Sequence, residues 1–269
     1  MTLTAEPRAL VSQDDGSVHA RRLSCVQVAG PLSPESPAPF DARLDPGAIR
    51  IVTWNIHKQA DAGWQRDLRS FIADNDLVLL QESVLDSTLQ AIVREGALRF
   101  VMASSFMHSG TDIGVMTASR VRPVATCTER IVEPLLRLPK SAVINWFGLD
   151  GRDETLAVVN VHAINFSLSL GTYRAQFQEI GDALALHPGP LIVAGDFNTW
   201  TLARAKVVHD LAARLRLTEV PFAVDHRSVF FGHELDHIYI RGLAWVSSAT
   251  IAVRSSDHNP VAATLRVVP

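Results

Sequence analysis

Hydrophobic residues along the chain occur in short runs that end abruptly in polar residues. Such runs predict strands that are covered on both faces, and they occur in "RIVTWNIHK", "DLVLLQES", "TLAVVNVHA" and "LIVAGDFN". Elsewhere, apolar residues recur at the spacing of one helix face. This spacing predicts helices in "WQRDLRSFIADND", "DSTLQAIVREGALRF", "TYRAQFQEIGDALAL" and "ARAKVVHDLAARLRL". The Arg and Lys residues of the last segment are expected to face solvent.

The order of these elements predicts the fold class. Between residues 112 and 163, strand patterns follow one another with no room for helices, so these strands are expected to pair antiparallel. The predicted helices flank this extensive set of strands. The pattern is typical of a layered α/β sandwich rather than of a doubly wound parallel sheet.

The first 48 residues differ from the rest of the chain. The segment "GPLSPESPAPFDARLDPGA" is rich in Pro, Ser and Asp and has little periodicity. We therefore expect residues 1–48 to be an N-terminal extension of irregular coil, followed by one domain over residues 49–269.

Composition limits which kinds of molecule the protein is expected to bind and which cellular compartment it is expected to occupy. The chain has 269 residues, of which 47% are hydrophobic, and this is enough for one substantial core. Its 25 Lys and Arg against 28 Asp and Glu argue against strong nonspecific binding to duplex DNA. Two cysteines do not make a disulfide framework, so a reducing compartment is favoured, although a single bridge stays open.

The N-terminus and the hydrophobic runs also bear on the location of the protein. The first residues lack the basic-then-apolar order of a signal peptide. Apolar stretches fall short of the roughly 18 residues that a membrane span needs. The sequence therefore predicts a cytoplasmic protein with no membrane span.

The run "LIVAGDFNTW" at 191–200 ends in a carboxylate and a carboxamide two residues apart. Gly195 allows a turn or a close approach of the backbone. If the chain stays extended, Asp196 and Asn198 point to the same side, because strand side chains alternate. The competing interpretation is a simple turn, since Asp and Asn favour turns for local reasons.

Other strand ends carry polar groups of the kinds used in catalysis. They are Asn55 in "TWNIHK", Glu82 in "LLQES", Asn160 and His162 in "VVNVHA", Asp236 in "LDHI", and Asp257 with His258 in "SSDHNP". Each alone is better explained as a surface or structural residue, but their coincidence favours one site. Carboxylate and amide oxygens suit Mg²⁺, and histidines and aspartates can transfer protons. The set indicates hydrolysis of a phosphate ester, which needs a metal, an oriented water and donors for developing charge.

In this order the motifs resemble those of the endonuclease/exonuclease/phosphatase superfamily, over about residues 49–268. That superfamily includes pancreatic-type DNase, abasic-site endonucleases, sphingomyelinases and inositol-phosphate phosphatases. More narrowly, "LLRLPKSAVI" and "VVNVHAINFSLSLGTY" resemble stretches of the YafD-like bacterial group. The resemblance implies a DNase I-like, four-layer α/β sandwich, with two mostly antiparallel sheets packed face to face and helices outside. It makes residues 49–269 the catalytic domain.

The resemblance also implies how the metal and the water are held. Glu82 matches the principal ligand of Mg²⁺ (or Mn²⁺), assisted by Asn55 and Asp257. Asp196 matches the residue that orients or deprotonates the attacking water. Asn198 matches a neighbouring group that holds water or phosphate.

Two histidines complete the implied site. His258 matches the histidine at the scissile phosphate, with Asp236 as its carboxylate partner. His162 matches a second histidine of the DNase and sphingomyelinase branches and is a candidate acid for the leaving group. Since that position is not histidine in the abasic-site branch, the abasic-site interpretation is weakened. Weaker candidates for substrate contact are Asn160, Lys140 and Asn165.

The predicted function is a metal-dependent hydrolase of phosphate esters, foremost a phosphodiesterase with nuclease activity included. The alternatives are a phosphomonoesterase, a lipid phosphodiesterase of the sphingomyelinase kind, and a binding module that has lost the reaction. The expected partner is a phosphate-ester substrate, with nucleic acid among the candidates. Sequence does not choose between DNA, RNA, lipid and sugar phosphates, because this machinery serves all of them.

Overall fold

Two β-sheets form the centre of the molecule, which we describe from a computed structural model over residues 8–25, 42–167 and 169–268. In these residues the first sheet contains β1 (Arg8–Ser12), β2 (Val18–Arg21), β3 (Ile49–Asn55), β4 (Leu77–Val84), β5 (Arg99–His108), β6 (Thr111–Ser119), β15 (Leu243–Thr250) and β16 (Val261–Val267). Its strand order is β15-β16-β3-β4-β6-β5-β1-β2.

The second sheet contains β7 (Ala125–Val132), β8 (Pro139–Gly148), β9 (Thr155–His162), β10 (Leu191–Asp196), β11 (Thr218–Glu219) and β14 (Asp236–Arg241). Its order is β11-β14-β10-β9-β8-β7, and a separate hairpin pairs β12 (Val229–Phe230) with β13 (His233–Glu234). Each large sheet has one parallel pair in its middle, β3-β4 and β9-β10, and its other pairs are antiparallel.

Helices cover the outer face of each sheet. They are α1 (Trp64–Asp74), α2 (Ser87–Glu95), α3 (Leu170–Leu184) and α4 (Leu202–Leu215). One apolar cluster packs α1 and α2 on the first sheet, another packs α3 and α4 on the second, and a third fills the space between the sheets. The predicted sandwich with two mostly antiparallel sheets and helices outside is therefore confirmed.

Part of the N-terminal segment is regular structure, so the prediction of irregular coil over residues 1–48 is wrong for 8–12 and 18–21. There β1 and β2 extend the first sheet beyond β5, and Ala9 and Leu10 are buried against it. A strand of five residues with little alternation gives too weak a pattern to be seen in sequence. Residues 26–41, which hold most of the Pro-rich segment, lie outside the described residues.

Cys25 and Cys127 form a disulfide that ties this segment to β7. The bridge that the sequence left open is thus present. Disulfides persist mainly in oxidising compartments, so the bond is at odds with the predicted reducing, cytoplasmic location. Among the described residues, none of the helices is long and apolar enough to cross a bilayer.

Candidate active site

The two central parallel pairs set the position of the site. Strands that run parallel end at the same edge of a sheet, so β3 and β4 end together in one sheet and β9 and β10 end together in the other. At that edge Asn55 Nδ2 donates a hydrogen bond to Asp196 Oδ2 at 3.0 Å. This bond joins the ends of the two sheets through their side chains.

Asp196 is the centre of the arrangement, and it is 1% exposed. Its Oδ2 lies 3.4 Å from Nε2 of His162 and 3.9 Å from Nε2 of His258. Across the antiparallel pair of β10 and β14, Asp196 is directly opposite Asp236. The structure therefore brings together four of the residues predicted to be catalytic.

His258 and Asp236 form the predicted pair. Nδ1 of His258 donates to Oδ2 of Asp236 at 2.7 Å, and both side chains are largely buried. Burial alone would lower the pKa of His258, but the carboxylates of Asp236 and Asp196 raise it to about 10. His258 is thus an imidazolium at neutral pH.

His162 has the opposite protonation state. Nζ of Lys140 donates to its Nε2 at 2.7 Å, because an ammonium has protons but no acceptor. Burial and the Lys140 charge lower the pKa of His162 to about 4, against the carboxylates of Asp196 and Glu82. His162 is therefore neutral at pH 7. Lys140, predicted as a weak candidate for substrate contact, lies within the site and is 14% exposed.

Glu82 lies next to cations. Lys58 Nζ donates to its Oε2 at 2.5 Å, and Lys140 Nζ is 3.6 Å from Oε1. Burial would raise the pKa of Glu82, but His162, Lys140 and Lys58 lower it to about 2. At neutral pH, where His162 is uncharged, the positive charges that face the Glu82 carboxylate are those of Lys140 and Lys58. Glu82 is then a carboxylate with its charge balanced by side chains.

Gly195 and Asn198 shape the end of β10. A Cβ on Gly195, whose φ is 142°, would lie 2.0 Å from the carbonyl oxygen of Val161 in β9, so the close approach requires glycine here. Beyond Asp196 the chain does not stay extended, since Asn198 has a φ of 50°. Its Nδ2 donates to the Ala163 carbonyl, and its backbone N–H donates to Asp196 Oδ1. Asn198 is held beside the site by this turn rather than by strand alternation.

Asn160 does not face the site. It is 0% exposed and lies between the sheets, where its Nδ2 donates to the carbonyls of Leu80 and Met116. Its Oδ1 accepts from Gln81 Nε2 at 2.6 Å. Through these bonds the carboxamide of Asn160 joins the two sheets. The prediction that Asn160 contacts substrate is therefore corrected.

Asn165, the remaining weak candidate, lies at the rim of the site. Its Oδ1 accepts from Trp200 Nε1 at 3.0 Å, and its backbone N–H donates to the buried carboxylate of Glu133. Glu133 Oε1 also accepts from the Phe166 N–H at 2.6 Å. The loop 164–167 is fixed by these bonds to the loop that follows β7.

Sequence reasoning missed Arg204, which was expected to face solvent on α4. It is 2% exposed, and its guanidinium donates to the carbonyls of Ile164, Asn165 and Asn198. It also stacks on Trp200, with 4.4 Å from Cζ to the ring centroid. Arg204 thereby ties the loops after β9 and β10 together. A helical Arg has no sequence signal for this, because loop carbonyls leave no pattern.

A family model described as the endonuclease/exonuclease/phosphatase family matches residues 52–258. The chain belongs to this family. It is 43% identical over 217 residues to a UPF0294 protein of Yersinia pestis, covering 79% of this chain and 82% of that protein. It is 39% identical over 254 residues to a UPF0294 protein of Yersinia enterocolitica, covering 90% and 96%. These relatives confirm the resemblance to the YafD-like group.

The fold of this family member is similar to that of the human Nocturnin catalytic domain with bound sulfate anion. The TM-score is 0.62 at 20% identity, over 84% of this chain and 97% of that chain. Enzymes of the endonuclease/exonuclease/phosphatase family hydrolyse phosphoester bonds and usually use a divalent metal. The likeness to Nocturnin shows the fold alone.

The donors at the site fit a divalent cation of the kind this family uses. Glu82 is ionised, and Asn55 offers its Oδ1, which within the described ranges accepts the N–H of His57 alone. The Asp257 side chain is 59% exposed and lies 3.8 Å from His57 Nδ1. Oxygen ligands of this type suit Mg²⁺ and Mn²⁺.

A second group of possible ligands is Asp196, Asp236 and His258, whose donor atoms lie within 4.8 Å of one another. Nδ1 of His258 donates to Oδ2 of Asp236 at 2.7 Å. A metal bound through that nitrogen would have to displace the proton of this hydrogen bond, whereas Nε2 of the ring faces Asp196 at 3.9 Å.

Proposed function

We propose that this protein is a divalent-metal-dependent phosphodiesterase. The observation that carries the proposal is the surroundings of Asp196, where one carboxylate lies within 4 Å of a charged histidine and of a neutral one. Two titratable groups whose pKa values are driven apart by their surroundings are typical of acid–base chemistry. The family supplies the general class, which is hydrolysis of phosphoesters.

In this mechanism Asp196 orients the attacking water and accepts its proton. The imidazolium of His258 faces the charge that develops on the phosphate, and Asp236 keeps the ring both oriented and charged. His162 is neutral, so the proton for the leaving oxygen comes from the hydrogen-bonded pair of Lys140 and His162. One alcohol then leaves protonated, and the other ester bond stays in the phosphomonoester product.

Glu82 would hold the metal, with Asn55 and Asp257 as further ligands. When bound, the metal neutralises charge on the phosphate oxygens. Lys58 now occupies one carboxylate oxygen of Glu82 and is 49% exposed. Since its side chain is long and partly in solvent, Lys58 is free to swing aside when Glu82 takes a cation.

Turnover of bis-p-nitrophenyl phosphate tests the proposal. We expect hydrolysis with Mg²⁺ or Mn²⁺, loss of hydrolysis in EDTA, and a circular dichroism spectrum that EDTA leaves unchanged, because the ligands lie at strand ends rather than in the core. A parallel assay with p-nitrophenyl phosphate distinguishes a monoesterase. Failure of both substrates to react with either metal would indicate a binding module instead. Full activity in metal-free buffer would contradict the metal requirement.

A further inference from the structure

Exposed apolar side chains border the candidate site. We call them the apolar rim, and their exposed fractions run from 49% to 76%: Leu135, Leu136, Phe166, Leu202, Val229, Phe230 and Phe231. Single exposed apolar residues are normal on a protein surface. A group of this size beside a catalytic centre is different and marks an interaction site.

Ring contacts and hydrogen bonds link the segments that carry the rim. Trp200 packs edge-on against Phe230 and Phe231, with ring centroids 6.3 and 6.2 Å apart. Its indole nitrogen bonds the loop that carries Phe166, and Glu133 bonds that loop to the segment that carries Leu135 and Leu136. The rim is thus carried by three loops, the first residue of α4 and the β12-β13 hairpin, and these contacts link the two outer loops and the hairpin to Trp200.

The hairpin is fixed directly to the catalytic strands. Thr199 Oγ1 donates to the carbonyl of Glu234, and Ser228 Oγ donates to the carbonyl of Asp257 at 3.0 Å. The chain passes from Glu234 to Asp236 within two residues. The tip of the hairpin is therefore held in a set position relative to Asp196 and its neighbours.

Phe231, at the tip of the hairpin, is unfavourable for stability in two ways. The turn of the hairpin is Phe231-Gly232, and both residues have positive φ, of 50° and 82°. Hairpins of this kind use Asn, Asp or Gly at such positions, because a bulky side chain there is strained. Phe231 is also 75% exposed, so its ring gains little from burial. The stability of the fold therefore does not explain a phenylalanine at this position. A partner that covers the ring would explain it.

We propose that the apolar rim docks on a zwitterionic lipid–water interface, so that the site hydrolyses a phosphodiester in a lipid headgroup. This rests on the proposed phosphodiesterase function and specifies its substrate class. A headgroup phosphate lies at the boundary of the apolar layer, and residues that sit in that boundary are aromatic and aliphatic. Docking of the rim would bring such a phosphate to the mouth of the site.

The chemistry of the rim favours lipid over single-stranded nucleic acid. Bases stack on open aromatic faces beside a positive groove. Here the ring centroids of Phe230 and Phe231 are 4.4 Å apart, with an angle of 45° between the ring planes. The ring plane of Trp200 makes angles of 85° and 61° with theirs, so these rings pack on one another. The remaining members of the rim are largely aliphatic. Arg204, which stacks on Trp200, is buried and bonded to loop carbonyls. With a net charge of −3 the chain has no overall attraction for polyanions or for anionic lipids.

Cosedimentation with dioleoylphosphatidylcholine vesicles in EDTA tests the docking without turnover. The wild type is expected to bind, and Phe231→Asn is expected to reduce the partition constant by roughly 10-fold or more, the scale of burying one phenylalanine side chain. Asn tolerates positive φ, so the variant should fold at least as stably as the wild type. The control is Leu186→Asn, since Leu186 is 76% exposed and lies near the start of β10, away from Asp196. It should leave binding unchanged.

The outcomes separate this inference from the function on which it rests. Vesicle binding that Phe231→Asn weakens, with hydrolysis of soluble bis-p-nitrophenyl phosphate retained, supports both. Vesicle binding without any hydrolysis supports docking and contradicts the phosphodiesterase. Absence of vesicle binding in the wild type, or binding that Phe231→Asn leaves intact, overturns the docking. So would a labelled dT 20-mer that binds the wild type tightly and Phe231→Asn weakly, or a dimer that Phe231→Asn dissociates.

Discussion

Single residues in the site differ in charge because of the partner that each one contacts. His258 is held charged by Asp236, whereas His162 is held neutral by burial and by Lys140. The same residue type thus has two roles in the site: His258 is a fixed cation, and His162 is a hydrogen-bond acceptor. Such a division lets acid and base functions coexist near pH 7.

Asp236→Asn should change the pH dependence of activity. Removing the carboxylate lowers the pKa of His258 from about 10, so the imidazolium is lost at a lower pH. We expect kcat to fall, and the decline of the rate at high pH to begin earlier than in the wild type. A pH–rate profile between pH 6 and 10 measures this, with Asp210→Asn on the exposed face of α4 as control. Superimposable profiles would show that Asp236 does not act through His258.

Asn160→Ala should destabilise the protein and spare the reaction. The change leaves Gln81 and two buried carbonyls without the partner that joins the sheets. The expected loss is about 2–4 kcal/mol in the free energy of unfolding, with KM and kcat at 20 °C within a few-fold of the wild type. Urea unfolding and steady-state kinetics check the two halves. A raised KM with unchanged stability would return Asn160 to the substrate site.

Among the elements, those with strong periodicity were predictable from sequence. The helical segments and the central strands appear where the patterns place them. Asp86 caps α2 by accepting from Leu89 N. The polar ends of β3, β4, β9 and β10 also meet, because parallel pairs end at a common edge. The sequence predicted one shared site for these polar groups, but not the parallel pairing that brings the strand ends together.

The local backbone at the site was not predictable. Glu82 lies in a bulge of β4 and has a φ of 53°, and residues 57–59 form a left-handed turn that brings Lys58 to Glu82. The sequence shows neither a glycine nor a break in alternation that would predict these two features. The strand β1 and the burial of Arg204 were also not predicted, because each depends on contacts with residues distant in sequence.

The packing of β7 against α3 contains a buried acid. Glu129 is 6% exposed, and burial together with Glu179 and Asp182 raises its pKa to about 8. A raised pKa means that the native state binds more protons than the unfolded state between about pH 4.5 and 8. The stability that protonated Glu129 contributes is present below that window and is lost as the pH rises through it.

Glu129→Gln should therefore flatten this pH dependence. Since Gln stays neutral, the variant should exceed the wild type in the free energy of unfolding by roughly 2–4 kcal/mol near pH 8.5 and match it near pH 4.5. Urea titrations at the two pH values measure the difference. Asp153→Asn, an exposed acid, is the control. A gain that is equal at both pH values would mean that Glu129 is not the titrating group.

For the whole molecule, the site exists because two sheets meet. Asn55 and Glu82 belong to one sheet, and His162 and Asp196 belong to the other. The sandwich must therefore be intact for the residues to act together. The N-terminal segment contributes to this, as β1 and β2 complete the edge of the first sheet and Cys25 is bonded to the second.

Removing the disulfide should cost stability and leave the site intact. The bond closes a loop with a sequence separation of 102, and a cross-link of that length typically contributes about 2–5 kcal/mol. We expect the Cys25→Ser, Cys127→Ser double variant to unfold at lower urea and to keep its kcat at 20 °C. Dithiothreitol should shift the wild type by a similar amount and have no effect on the double variant. Indifference of the wild type to dithiothreitol would contradict a structural role for the bond.

The central claim is that the groups gathered around Asp196 hydrolyse a phosphodiester. The most direct measurement is kcat for bis-p-nitrophenyl phosphate with saturating Mn²⁺, comparing the wild type with Asp196→Asn. The variant keeps the shape of the side chain and one accepting oxygen, but it cannot take the proton of the attacking water. We predict that kcat falls roughly 10²–10⁴-fold while the circular dichroism spectrum is unchanged. A rate within about threefold of the wild type would contradict the account.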